Sequence, residues 1–231
     1  MIRFYKQAAA RAEGACHVVT LDDRPMKTPA RRALVLPTAA LARAVAEEWQ
    51  AQGESVDQDT LALTRIACTA LDRIEDCRAE VVEHMVSTGA TDMTCYRVTE
   101  PADLVARQSA AWDPLLDWLA DYSGARLDPT DAISPREQSS EALEQLRRAA
   151  DIPDVMVLSA LVGVVAATNS LVIGLALREN RLDGAGAFEA SQVEESFQIE
   201  RWGEDSELTE RRASILREIA ACTAFMTLCR E

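Results

Sequence analysis

Apolar residues recur at two different periods along this chain, and the change of period divides it. Over residues 1–36 they come in short runs bounded by turn residues: RFY at positions 3–5, CHVVTL at 16–21 and ALVL at 33–36. Runs of that length read as strands. Asp22-Asp23 before Arg24-Pro25 predicts a hairpin turn, with Met26-Lys27-Thr28 as the return strand. From Thr38 the period lengthens. Leu41, Val45 and Trp49 stand four apart behind Thr38 as N-cap, Gly53 ends this helix, and Glu47 and Glu48 fall on its wet side. Trp49 reads as a core anchor between helix and strands.

Beyond Thr60 the pattern is helical almost throughout. Ala67, Leu71 and Ile74 form one stripe, continued by Val81, Val82, Met85 and Val86 and closed by Gly89. Residues 90–101 read as an ordered loop, residues 104–118 as a helix that Pro114 either kinks or restarts, and residues 124–135 as loop. Ser139 or Ser140 caps a short helix carrying Leu143 and Leu146. Residues 155–177 contain no charge, long enough to span a bilayer. Ser159, Gly163 and Gly174 interrupt them, however, and Thr168-Asn169-Ser170 can cap a second helix, so they read as a buried hairpin or broken helix. A last helix over 208–231 presents Ile215, Ile219, Cys222, Met226 and Cys229 as a narrow seam. The predicted class is α+β: a small antiparallel β domain with a helix over residues 1–58, then a larger all-helical domain over 59–231.

The most unusual stretch is FEASQVEESFQIERWGEDSEL, residues 188–208. Positions 189–210 hold eight acids against one base, Arg201. Asp183 as N-cap and Gly203 as terminator predict a single helix over 183–202. At about 100° per residue, Ala190, Val193 and Phe197 fall on one side and Phe188, Ile199 and Trp202 nearly opposite. A helix apolar on two sides is expected to lie between other elements, with Trp202 in the core. Glu194, Gln198 and Arg201 form a polar stripe between the two faces, and Glu195 sits beside Ile199 and Trp202. A carboxylate partly withdrawn from water needs a partner, which makes this helix the candidate site.

Composition narrows the function classes. A formal charge of −14 repels nucleic acid and anionic membranes and favours a neutral or basic partner surface. The six cysteines show no C-x-x-C spacing and read as reduced, small hydrophobes of a cytoplasm-like compartment. The chain opens MIRFYK without a presequence pattern, which predicts a bacterial cytoplasmic protein. Neither His17 nor His84 has metal-site or dyad spacing, and no phosphate-binding or nucleophile-elbow motif occurs. Gly184-Ala185-Gly186 at a helix start is a weak anion-binding signal. The one enzymatic alternative is a small-molecule site using the Glu194 and Glu195 carboxylates with the loop at 91–98.

EESFQIERWGEDSE resembles the signature of the assembly chaperones of F1-ATPase that hold its alpha subunit before it joins beta. Further segments agree in order: RFY, VTLDDRPMKTPAR, LPT with LARAVAEEW, TRIACTALD, TDMTCYRV, WDPLLDW and SLVIGLAL. Asp23 stands where that family has a turn glycine, and Met93-Thr94 where it has leucines. The resemblance implies a β-containing amino-terminal domain, a helical carboxy-terminal domain, no catalytic activity, no cofactor and no metal. It implies a partner, unassembled F1 alpha subunit, bound by a protein that is monomeric when free. It also implies one critical glutamate, matched best by Glu194 and next by Glu195, among the partner-binding residues Glu194, Glu195, Gln198, Arg201 and Trp202. In an organelle relative the compartment would be the mitochondrial matrix.

Overall fold

The computed structural model describes residues 2–132, 134 and 136–231. The architecture is α+β, a four-stranded antiparallel sheet followed by helices. Strand β1 (Ala8–Glu13) pairs with β2 (Cys16–Leu21), and β2 also pairs with β3 (Arg24–Pro25) and β4 (Val35–Leu36). The helices are α1 (Ala39–Gln50), α2 (Ala62–Thr69), α3 (Glu75–Ala90), α4 (Ala102–Ser123), α5 (Ser140–Ala150), α6 (Val155–Thr168), α7 (Leu171–Arg178), α8 (Gly184–Ser191), α9 (Val193–Trp202) and α10 (Ser206–Leu228). Two compact units form, both discontinuous in sequence. One comprises Met1–Arg78, Pro153–Ala160 and Ala221–Glu231, the other Ala79–Ile152 and Leu161–Ala220. A single cut at residue 58, by contrast, separates sheet-bearing from helical sequence.

In the first unit the hairpin forms where the turn residues place it. Leu21 faces Arg24, leaving Asp22 and Asp23 as a two-residue turn with φ of 46° and 66°. Both values lie in the left-handed region, the type I′ geometry that suits the twist of a hairpin and that aspartate tolerates. The Asp22 carboxylate accepts from the Lys6 and Gln7 N–H groups, both at 3.0 Å. RFY belongs to no ladder; the first strand is AAARAE, whose alanines give no strand signal and which forms by pairing with β2 under α1. Thr38 caps α1 as expected, accepting from Leu41 N–H at 3.1 Å.

Glu48 does not lie on the wet side of α1. Its carboxylate accepts from Leu63 N–H (2.6 Å), Thr64 N–H (2.9 Å) and Thr64 Oγ1 (2.7 Å). These are first-turn donors of α2, whose own N-cap, Leu61, offers no oxygen. Burial raises the Glu48 carboxyl above its ordinary range, opposed by those donors. The helix predicted from residue 60 is broken by a π-helical turn at Ala70–Ile74 and by non-helical angles at Cys77. Ser159 Oγ, in the first half of α6, donates to Ile66 O at 2.9 Å, so this later segment returns to the first unit.

The second unit is organised by a fully buried aspartate. Asp92 accepts from Thr94 N–H (3.1 Å), Thr94 Oγ1 (2.8 Å), Ser170 Oγ (2.7 Å) and Val172 N–H (3.0 Å). It caps a short 3-10 turn at Met93–Cys95 and, together with the N-cap Ser170, the start of α7. Residues 155–177 are the predicted broken helix: Asn169 takes φ 53° between α6 and α7, and a Cβ on Gly174 would stand 2.9 Å from Val165 and 3.0 Å from Leu161. No described helix is long and apolar enough to cross a membrane. Helix α4 runs through Pro114 without restarting, held by burial of Leu104, Trp112, Leu115 and Leu119. The loop predicted over 124–135 is non-helical where described, Thr130 bridging to Tyr96; Ile133 and Pro135 lie outside the described residues. Burial pushes the thiols of Cys95 and Cys229 up to about 12 and that of Cys68 to about 11, and none of the six cysteines is in a disulfide.

Asp92→Ala leaves four buried donors without their acceptor. It should cost about 3 kcal/mol, read as a lower denaturant midpoint in chemical unfolding.

Candidate functional site

The acidic segment is two helices. Gln192 leaves helical geometry (φ −119°, ψ 21°), ending α8 and starting α9. A helix end normally leaves four carbonyls unmet, and here each finds a donor. Ser191 Oγ donates to Phe188 O (2.8 Å), Gln192 N–H to Glu189 O (3.2 Å), the Trp112 indole N–H to Ala190 O (2.8 Å) and Gln192 Nε2 to Ser191 O (3.1 Å). The single-helix expectation over 183–202 fails because these partners make the break affordable in free energy. Both outer ends are as predicted: Asp183 accepts from Gly186 N–H at 2.7 Å, and Gly203 closes α9 at φ 86°.

One face of α9 is fully engaged with α4. Gln108, only 1% exposed, occupies a position in the otherwise apolar stripe of α4. Its Oε1 accepts from Val98 N–H at 2.9 Å, and its Nε2 donates to Glu194 Oε1 at 2.6 Å. Beside it on α4, Arg107 forms a bidentate pair with Glu200 (2.8 and 2.6 Å), and Arg201 pairs with Asp103 at 2.7 Å. Between these pairs Phe197 is 3% exposed, with the Arg201 and Arg107 guanidinium carbons 4.3 and 5.3 Å from its ring centroid. From α10, Arg212 donates to Gln192 Oε1 (3.1 Å) and Ser196 Oγ (3.2 Å). The hydrogen bonds from Arg107 hold the Glu200 carboxyl below its usual range. Burial raises that of Asp103, but Arg201 outweighs it and the net shift is downward.

The other face is more open. Glu195, Gln198, Ile199 and Trp202 recur three, four and seven apart, Glu195 and Ile199 half-buried and Gln198 and Trp202 exposed, and no side-chain hydrogen bond or ion pair joins Glu195 or Gln198 to another described residue. Trp202 is 76% exposed and so is not core. The helix is therefore buried on one side and not between two layers: the break at Gln192 ends the continuous 100° progression that put Phe188 opposite Phe197, and no described element covers Trp202. Of the five residues singled out from sequence, Glu194 and Arg201 face α4, while Glu195, Gln198 and Trp202 sit on the exposed side. Both neighbouring glutamates are half-buried, but one is tied to a buried amide and the other has no side-chain partner among the described residues.

Sequence reasoning missed Asp103, Arg107, Gln108, Trp112 and Arg212. Four of these read as an ordinary amphipathic surface or core. Gln108 carried a usable signal, because it stands four residues from Leu104 and four from Trp112, where the stripe calls for an apolar side chain.

A family model described as ATP12 chaperone protein matches residues 2–120. The mitochondrial protein atp12 of Schizosaccharomyces pombe is 24% identical over 243 residues, spanning 99% of this chain and 83% of its own length. Among solved structures, Atp12 from Paracoccus denitrificans aligns with a TM-score of 0.93 at 37% identity, over 99% of this chain and 98% of that one. The Atu1473 protein of Agrobacterium tumefaciens aligns with a TM-score of 0.91 at 34% identity, over 98% and 85%.

The two faces of α9 should separate in stability measurements. Phe197→Ala should cost about 3 kcal/mol, whereas Trp202→Ala should stay within about 0.5 kcal/mol of the parent. The ion pairs should show a definite acid dependence. Folded-state values depressed below the ordinary 4.5 of Glu200 and 3.8 of Asp103 mean that their stabilisation is complete above those ordinary values. It is lost as pH falls through the depressed ones. Arg107→Ala should thus lower the unfolding midpoint at pH 7 and converge with the parent in strong acid.

Proposed function

Because the chain belongs to the ATP12 family of assembly chaperones, we propose that it captures the unassembled alpha subunit of F1-ATPase through the open face of α9 and yields it to beta. The exposed Trp202, on the same side of α9 as Glu195 and Gln198, carries this reading. A large aromatic side chain held on a rigid helix loses little conformational freedom on binding, and tryptophan is enriched among residues that dominate interface energies. The adjoining carboxylates favour a partner surface that is apolar and basic.

Within that assignment the five residues divide. Glu195, Gln198 and Trp202 contact the client, while Glu194 and Arg201 act as positioning residues that hold α9 against α4. The alpha subunit comes from the resemblance of EESFQIERWGEDSE to chaperones of that subunit; the match of residues 2–120 supports the family and does not reach this segment. An isolated alpha subunit exposes surface that beta covers in the finished enzyme, and such patches aggregate. Beta, with the larger complementary interface, displaces the chaperone by competing affinity, with no nucleotide hydrolysis and no catalytic step on this chain. The compartment that fits this activity is the one where alpha is made or imported, the bacterial cytoplasm or the mitochondrial matrix.

Co-expression with an F1 alpha subunit tests the assignment. The parent protein should keep alpha soluble and co-purify with it, and Trp202→Ala and Glu195→Lys should each weaken recovery at least about tenfold while unfolding like the parent. Gln108→Leu should weaken capture through misplacement of α9, visible as faster amide exchange in that helix. Undiminished capture by the Trp202→Ala/Glu195→Lys double variant would sink the assignment.

A further inference from the structure

Strand β1 is an edge of the sheet: it pairs with β2, and no other described strand lies along its outer side. In an antiparallel pair, residues alternate between bonding their partner and turning their N–H and C=O groups away from it. Gln7 O, one residue ahead of the strand, accepts from Asp22 N–H at 2.9 Å and so faces β2. Alternation then aims Ala9, Arg11 and Glu13 at β2, and Ala8, Ala10 and Ala12 outward. Ala8 shows the same parity independently, because its N–H donates to Gln50 Oε1 of α1 at 2.8 Å. Ala10 and Ala12 have no such cover: no hydrogen bond outside the β1–β2 ladder joins either one to a described residue.

An unmet row of this kind is a template for another extended chain, and edges are ordinarily guarded by lysine, proline, a bulge or a covering element. The register with β2 runs without a bulge from Ala8 to Glu13, and AAARAE contains neither lysine nor proline. Ala12 is exposed and Ala10 half-buried. Arg11, the charge between them, is paired at 2.7 Å with Asp23 in the turn beyond β2, which draws it away from the outer side. Alanine methyl groups also let a second backbone approach closely. What fits here is set by main-chain groups at strand spacing, so the complement is an extended polypeptide. Two alanines a side fall far below the about 1,200 Å² in total that a stable pair of chains buries, so two copies of this protein would not hold together by this edge. A segment of a chain already gripped elsewhere needs much less, because tethering supplies an effective concentration on the order of millimolar.

We propose that the outer side of β1 at residues 10–12 is a second docking surface, which takes one extended segment of the client polypeptide as an added strand of the sheet. The term client rests on the chaperone reading; the edge rests on the hydrogen-bond parity of β1. The probe is a peptide of alternating threonine and valine flanked by serines, added at millimolar concentration to isotope-labelled protein and followed by amide NMR. The Ala10 and Ala12 amides should shift and exchange more slowly with solvent, whereas the same peptide N-methylated at every residue should leave them unmoved. Ala10→Pro/Ala12→Pro removes both outward N–H groups at positions where an edge strand tolerates proline. It should abolish the shifts read at Arg11 and Glu13 while the β1–β2 ladder stays protected. No shift at Ala10 and Ala12, equal shifts with the N-methylated peptide, or self-association of the parent that the prolines abolish would each overturn the proposal. In a complex with F1 alpha, exchange at these two amides should slow; unchanged exchange there would overturn the client's use of the edge. Neither Trp202→Ala nor a failure of alpha capture alters the peptide result, so the two assignments fail independently.

Discussion

Gln108 sits in the apolar stripe of α4, where an amide group with no partner would cost about 1–3 kcal/mol for each unmet atom. Its oxygen takes the Val98 N–H and its nitrogen reaches the Glu194 carboxylate, so the chain around Val98 and helix α9 are held to one buried side chain. Everything on the inner face of α9 follows from that fixture. Phe197 closes against α4, and the pairs Arg107–Glu200 and Arg201–Asp103 flank it. Exposed ion pairs contribute little individually; here they set the rotation of a helix whose seat is already fixed by burial.

The same demand for satisfied polar groups explains the helix ends. Glu48 of α1 meets the first donors of α2, Asp92 meets those of α7, and the Trp112 indole meets a last carbonyl of α8. In each case the capping group comes from a different element, and for Asp92 and Trp112 from about eighty residues away. Local capping then becomes tertiary structure, because removing one such side chain exposes a helix end to an apolar interior that offers it nothing. An acidic chain has many carboxylates to spend on solubility, and two of the three caps here are carboxylates placed instead at helix amino termini, where the peptide dipoles favour them.

With its inner side engaged in this way, α9 turns Trp202, Gln198 and the half-buried Glu195, whose carboxylate has no partner among the described residues, away from α4. That division suits a protein whose task is to hold and release another chain. A rigid, pre-formed edge loses little order on binding and keeps no client that a larger complementary surface can claim. It also separates two roles that one acidic segment had merged, since Glu194 and Glu195 differ by one residue yet one belongs to the interior bonding and the other to the surface.

How much of this was legible follows from the range of each interaction. Turn chemistry and caps within four residues, such as Asp22-Asp23, Thr38, Ser139, Ser170 and Asp183, were readable from the sequence, as were the α+β division and the broken apolar helix at 155–177, because each depends on neighbours along the chain. The strand AAARAE was not, since only pairing with β2 makes alanines a strand. Nor were the break at Gln192, the burial of Glu48 and Asp92 and the exposure of Trp202. A helical wheel states which side chains share a face; it has no term for which face meets another element. That choice belongs to contacts between residues distant in the chain, and here Gln108 and Trp112 made it.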